Sequence, residues 1–276
     1  MNLFIEWLPI ILVLLLVGCI AGLLAGLLGI GGGIVIVPTF YLVVQSLGAS
    51  LSTAMLLAVG TSLMAIVPTS MSSTLAHYRR GNVDVALLKR WAPPMLAGVL
   101  LGSILAINIE GVVLTVVFGI FAILIALNMW RSSDACVPVE RQIGRVVQSL
   151  IAGTIGFLSV IMGIGGGALG VPTMTSLGAP AHRAIGTAAV FGLIISFPGT
   201  IMLLASGHAP TDAPIGTFGF VNVPGALCIV SMSILFAPIG VKIGAHMDGH
   251  MLKRVFALFL ILAGVRMIWQ AFISVS

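Results

Sequence analysis

The chain is 276 residues long, with 59% apolar and only 7% charged positions, and its mean hydropathy is +1.24. So little charge cannot cover a water-facing surface, which excludes a soluble globular protein. The net charge of +5 does not indicate nucleic acid, because the twelve Lys and Arg come in ones and twos between apolar stretches, as in membrane loops.

The first apolar segment runs from about residue 8 to 28. Its start carries Glu6 and no Lys or Arg, and it continues beyond Cys19, so it reads as a retained membrane segment and not a cleaved signal peptide. It ends in Gly29-Ile30-Gly31-Gly32-Gly33, and a shorter apolar segment follows over about 34–47. Three segments long enough to span a bilayer come next, at about 52–75, 90–107 and 111–130. The order then repeats: about 147–162 up to Gly163-Ile164-Gly165-Gly166-Gly167, about 168–178, and spans at about 184–206, 222–245 and 251–272.

Self-comparison explains the recurrence. GLLAGLLGIGGGIVIVPT (22–39) and GFLSVIMGIGGGALGVPT (156–173) share ten of eighteen positions at an offset of 134. At an offset of 138, Gly81-Asn82-Val83-Asp84 meets Gly219-Phe220-Val221-Asn222, and LTVVFGIFAIL (114–124) meets LKRVFALFLIL (252–262). The expected organisation is a first membrane repeat at 1–135, a cytoplasmic linker at 136–146 and a second repeat at 147–276. The fold class is an all-α polytopic membrane protein of two inverted repeats, each a Gly-broken helical hairpin plus three transmembrane helices.

Charge supports the inversion. If each glycine element closes a hairpin, one side of the membrane collects eleven of the twelve basic residues, including Arg79, Arg80, Lys89, Arg90, Arg183 and Lys242, and only Arg266 lies elsewhere. Four parallel spans per copy would put Arg183, Lys253 and Arg254 outside, against the positive-inside bias. Both termini are therefore expected on the periplasmic side.

Consecutive glycines are costly inside a helix, about 0.8–1 kcal/mol each relative to alanine, so GIGGG reads as a break. Broken backbone at membrane depth survives only where protein or a water-filled cavity surrounds it. Paired breaks in two halves point to a midplane substrate site. The short helix after each break, starting near Ile34 or Ala168, would direct free N–H groups and a positive dipole end at a ligand, which suits an anion. The site-lining candidates are Gly29, Gly31, Gly32, Gly33, Gly163, Gly165, Gly166 and Gly167. The small-residue spacings Gly18/Gly22/Gly26, Gly98/Gly102 and Gly240/Gly244 read as helix-packing faces.

Gly60-Thr61-Ser62 and Gly186-Thr187-Ala188 occupy equivalent places. The hydroxyls of Thr61, Ser62 and Thr187 could donate to an oxyanion or bond back to their own helices. Arg266, inside the last span, either snorkels or faces a polar pathway. Arg183 reads as a topology anchor, and His77, His246 and His250 as solvated helix ends. No carboxylate lies mid-span, so no acidic proton relay is visible. Cys19, Cys136 and Cys228 form no CxxC pair, and neither a metal site, a disulfide nor any cofactor is expected. An intramembrane enzyme is disfavoured, since there is no HExxH and no Gly-x-Ser with a histidine to activate it.

The paired GIGGG-x4-PT elements, the Gly-Thr in each copy and the GNVD/GFVN pair together resemble the TauE/SafE family of sulfite exporters, over nearly the whole chain. The resemblance implies a multi-pass protein of the bacterial inner membrane, with no redox cofactor, that exports small sulfur-containing anions such as sulfite or organosulfonates. An anion channel, or an uptake permease for another small anion, is the alternative. The expected partners are a small anionic substrate and the lipid bilayer, with a homodimer left open and no nucleic acid. Cys19 and Cys228 lack the arrangement of the related thiosulfate carriers.

Overall fold

The computed structural model describes residues 2–131, 144–207, 209–244 and 250–275. The first copy comprises α1 (Asn2–Leu28), α2 (Gly33–Ser46), α3 (Leu51–Tyr78), α4 (Val85–Asn108) and α5 (Gly111–Arg131). The second comprises α6 (Arg145–Ile161), α7 (Gly167–Ser176), α8 (Ala181–Leu204), α9 (Val223–Gly244) and α10 (His250–Val275). A two-residue hairpin, β1 (Thr217–Phe218) with β2 (Val221–Asn222), precedes α9 and was not foreseen in the sequence. Among the described residues, six helices are long and apolar enough to cross a membrane. Most of the expected 136–146 linker, with Cys136, and the loop holding His246 lie outside the described residues.

Local chemistry sets the helix ends. In α2 and α7 the chain leaves through Leu-Gly-Ala, with Gly48 and Gly178 at φ 92° and 93°. The next amides return to the helix, Ala49 to the Val44 carbonyl and Ala179 to that of Met174. This is a glycine C-terminal cap, and it stops both short helices in the same way. α4 starts at Val85, a turn earlier than expected, because the Asp84 carboxylate accepts the Leu87 N–H at 2.9 Å. Asn222 does the same for α9, accepting the Gly225 N–H at 2.9 Å. The GNVD and GFVN signals are thus helix starts.

The copies interlock. α1 packs along α9, and α6 packs along α4, while α3 pairs with α8 and α5 with α10. The small residues make the first two contacts possible: a Cβ on Gly18, Gly22 or Gly26 would strike the carbonyls of Ile229, Ser233 or Ala237, and one on Gly98 or Gly102 those of Gly153 or Phe157. Along α8, Gly192 meets Ser70 and Gly199 meets Leu63, so these repeat-equivalent helices run antiparallel. They form the centre of the molecule. The outer helices turn Leu16, Leu101, Leu150, Leu235 and Leu262 outward, as a lipid-facing surface requires.

Candidate functional site

Both breaks are buried, and they meet. Gly31 faces Gly165 at close packing distance, Gly33 abuts the Gly163 carbonyl, and Gly167 abuts that of Gly29. Ile66 and Gly192, near the middle of α3 and α8, flank the Gly31–Gly165 contact, which puts it at mid-depth. Gly29, Gly31, Gly32 and Gly163 have φ between 65° and 77°, a conformation that glycine alone adopts without strain. Of the eight glycines foreseen at the site, all lie in this one locus.

The short helices begin at Gly33 and Gly167, one residue before the expected starts. Gly32 and Gly166 supply no side-chain cap. The first bonded amides are Val35 and Ile36 to the Gly32 carbonyl, and Gly170 to that of Gly166, while Gly167 N–H contacts the Gly165 carbonyl. The amides of Gly33, Ile34, Ala168 and Leu169 take no other acceptor among the described residues. Two positive helix ends therefore converge on one glycine-walled centre.

The hydroxyls have a different arrangement from either expectation. Ser62 donates across the dyad to the Gly163 carbonyl at 2.7 Å. Thr61 accepts the Asn222 N–H, and Thr187 accepts the Asp84 N–H, each at 2.9 Å. Each threonine thus holds the helix start of the other copy. The neighbouring glycines make room, since a Cβ on Gly60 would fall on the Phe220 carbonyl and one on Gly186 on that of Asn82.

Arg266 is not brought to the breaks. α10 buries Ala257, Leu260, Gly264, Met267 and Ala271, a helical stripe that leaves position 266 on the outward face, where Arg266 is exposed. His77 departs from the solvated role: it is 5% exposed, and its Nε2 lies 3.1 Å from the Gly26 carbonyl.

Two residues went unnoticed in the sequence. Ser70 and Ser196, equivalent on α3 and α8, are buried, and their hydroxyls have no partner. Gly192, which touches Gly165, also touches the Ser70 hydroxyl. The available signal was a serine recurring nine residues after the threonine of each Gly-Thr, on helices otherwise rich in apolar residues. Among the described residues no cluster of His, Cys, Asp and Glu could hold a metal.

Duplicated helices broken near the middle of the bundle, with the two breaks in contact, define a polytopic membrane protein of transporter type. Comparison with known proteins narrows this. The sulfite exporter TauE/SafE family profile matches residues 14–267. A probable membrane transporter protein of Haemophilus influenzae is 31% identical over 264 residues, covering 93% of this chain and 97% of the relative. Probable membrane transporter proteins of Bacillus subtilis and Methanocaldococcus jannaschii are similar at 29% and 28% identity, each over 95% of this chain and 98% and 97% of their own lengths. No solved structure matches the chain. The chain belongs to the TauE/SafE family and is a membrane transporter of that type.

Proposed function

We propose that this protein is a secondary transporter that carries small sulfur-containing anions, sulfite or an organosulfonate, out of the cell across a bacterial inner membrane. The observation that supports this most is the convergence of the α2 and α7 N-termini on the touching breaks, where the amides of Gly33, Ile34, Ala168 and Leu169 have no acceptor among the described residues. An oxyanion leaving water loses strong hydration and must regain several hydrogen bonds. Backbone amides supply them, each helix end adds about 0.3–2 kcal/mol through its dipole, and Ser70, against Gly192 and so beside Gly165, has a hydroxyl to donate. No Arg or Lys is packed on these glycines, which keeps binding reversible.

Because the breaks touch, a ligand requires them to separate, and separation of two packed bundles is the movement expected of a carrier. The test is flux in proteoliposomes with sulfite, sulfate, thiosulfate, taurine and sulfoacetate. Saturable sulfite flux, accelerated by sulfite on the opposite side, is the expected result. Non-saturable flux without that acceleration means a channel, and failure to move any sulfur anion under an imposed gradient ends the proposal.

A further inference from the structure

A cleft of about 240 Å³ opens between the starts of α4 and α8, away from the breaks, and its lining includes Asp84, Trp91, Gln148, Met174, Arg183 and Thr187. Three of its features look unfavourable for the protein alone. Trp91 is 1% exposed, and its indole N–H has no acceptor, which is costly for a buried donor. α8 begins after Pro180, which has no side chain to cap it, and the first of its amides with a backbone acceptor is that of Ala184. Arg183 places a cation in the first turn of the same helix, the end at which the dipole disfavours one.

The other copy shows what such a helix start takes. Leu-Gly-Ala-Ser before α3 corresponds to Leu-Gly-Ala-Pro before α8. At α3 the carboxylate of Asp212, from the loop before β1, accepts the Ser50 N–H at 2.7 Å and the Thr53 hydroxyl at 2.6 Å. One half of the molecule thus fills the position with its own anion. In the other half the corresponding helix start borders a cleft with an arginine and an unused N–H donor. Asp84, the acidic lining residue, has Oδ1 turned to α4, where it accepts the Leu87 N–H. Trp91 stacks on Phe191 with ring centroids 5.8 Å apart, and Phe191 packs against Gly166. Trp91 and Phe191 therefore connect the cleft wall to the second break by side-chain packing.

We propose that this cleft is an anion-loading site, in which Arg183, the α8 amides and the Trp91 N–H receive a small oxyanion before it passes to the breaks. The inference rests on the transport reading above and adds the residues that admit the substrate from the arginine-bearing face. Its test uses purified full-length protein, with calorimetric titration of sulfite, acetate and phosphate and, in parallel, sulfite flux kinetics in proteoliposomes. Arg183→Gln and Trp91→Phe, the latter keeping the ring stack, are each expected to weaken sulfite binding roughly tenfold and to raise KM similarly, the scale of one lost charged or buried hydrogen bond. Arg79→Gln removes the same charge at the same end of the molecule and should change both by less than about twofold.

Unchanged affinity in Arg183→Gln and Trp91→Phe overturns the loading site. So does an Arg183→Gln protein that inserts poorly or in reverse while its inserted fraction binds normally, since Arg183 is then a topology anchor. The two readings separate cleanly. Sulfite flux with a KM indifferent to both variants leaves the transport reading and removes the cleft, whereas variant-sensitive binding of any probe anion without sulfur-anion flux does the reverse.

Discussion

Gly167 and Gly144 test what the break glycines do. A Cβ at Gly167 would fall on the Gly29 carbonyl, whereas one at Gly144 would meet nothing within 4 Å. Gly167→Ala should therefore destabilise the protein by about 1–3 kcal/mol, the cost of overpacking, and Gly144→Ala should stay within about 0.5 kcal/mol. Thermal unfolding in detergent reads the difference. Equal midpoints for the two variants would mean that the breaks stand further apart than described. The eight glycines were legible in the sequence because consecutive glycines have no use inside a helix. The acceptor of the Ser62 hydroxyl, the Gly163 carbonyl, was not, because it lies 101 residues away. For Arg266 the sequence left snorkelling and a polar pathway both open, although the inward stripe of α10, which leaves it exposed, can be counted from the sequence.

At the scale of elements, the loop before β1 is tied to α3 through Asp212. The Thr53 hydroxyl and the Ser50 amide hold its carboxyl down at about 2, below the usual aspartate value. The folded pKa is the lower one, so this contribution is whole above about pH 4, the range of a free aspartate, and is lost as pH falls through about 2. Hydrogen exchange of the Ser50 amide, corrected for intrinsic rate, should be flat from pH 7 to about 4 and quicken below it. Asp212→Asn should exchange faster already at pH 7. A variant as protected as the parent at neutral pH would mean the loop is held by other contacts. The ten helices among the described residues were legible, most to within a few residues, since each is an apolar run with a recognisable stop. The contact between Asp212 and α3 was not, because no local pattern marks a pairing across 159 or more residues.

For the whole molecule, the antiparallel course of α3 and α8 makes membrane sidedness measurable. Ser46 and Ser176, equivalent ends of α2 and α7, are both exposed. Placed singly as cysteines in a background without Cys19, Cys136 and Cys228, they should react with an impermeant reagent from opposite faces of the membrane. Reaction from one face would remove the inverted arrangement. Exposed Trp7 and Trp269 lie toward one end of the bundle and Trp130 toward the other, consistent with anchoring at two interfaces. The repeat itself was legible from identities alone. How the copies clasp each other was not, because the amides that Thr61 and Thr187 accept, those of Asn222 and Asp84, come from the opposite copy and no local pattern marks the pairing.

That reciprocal hold bears on how such a chain is made. α1 is finished early in synthesis, yet the helix it lies along, α9, begins only at Val223. α4 likewise waits for α6. While the first copy is emerging, the faces carrying Gly18, Gly22 and Gly98 have nothing of their own to close on, and their small side chains leave backbone carbonyls within reach of lipid. These faces of α1 and α4 therefore stay open until the second copy is made. Completion depends less on the insertion of each segment than on the arrival of α6 and α9.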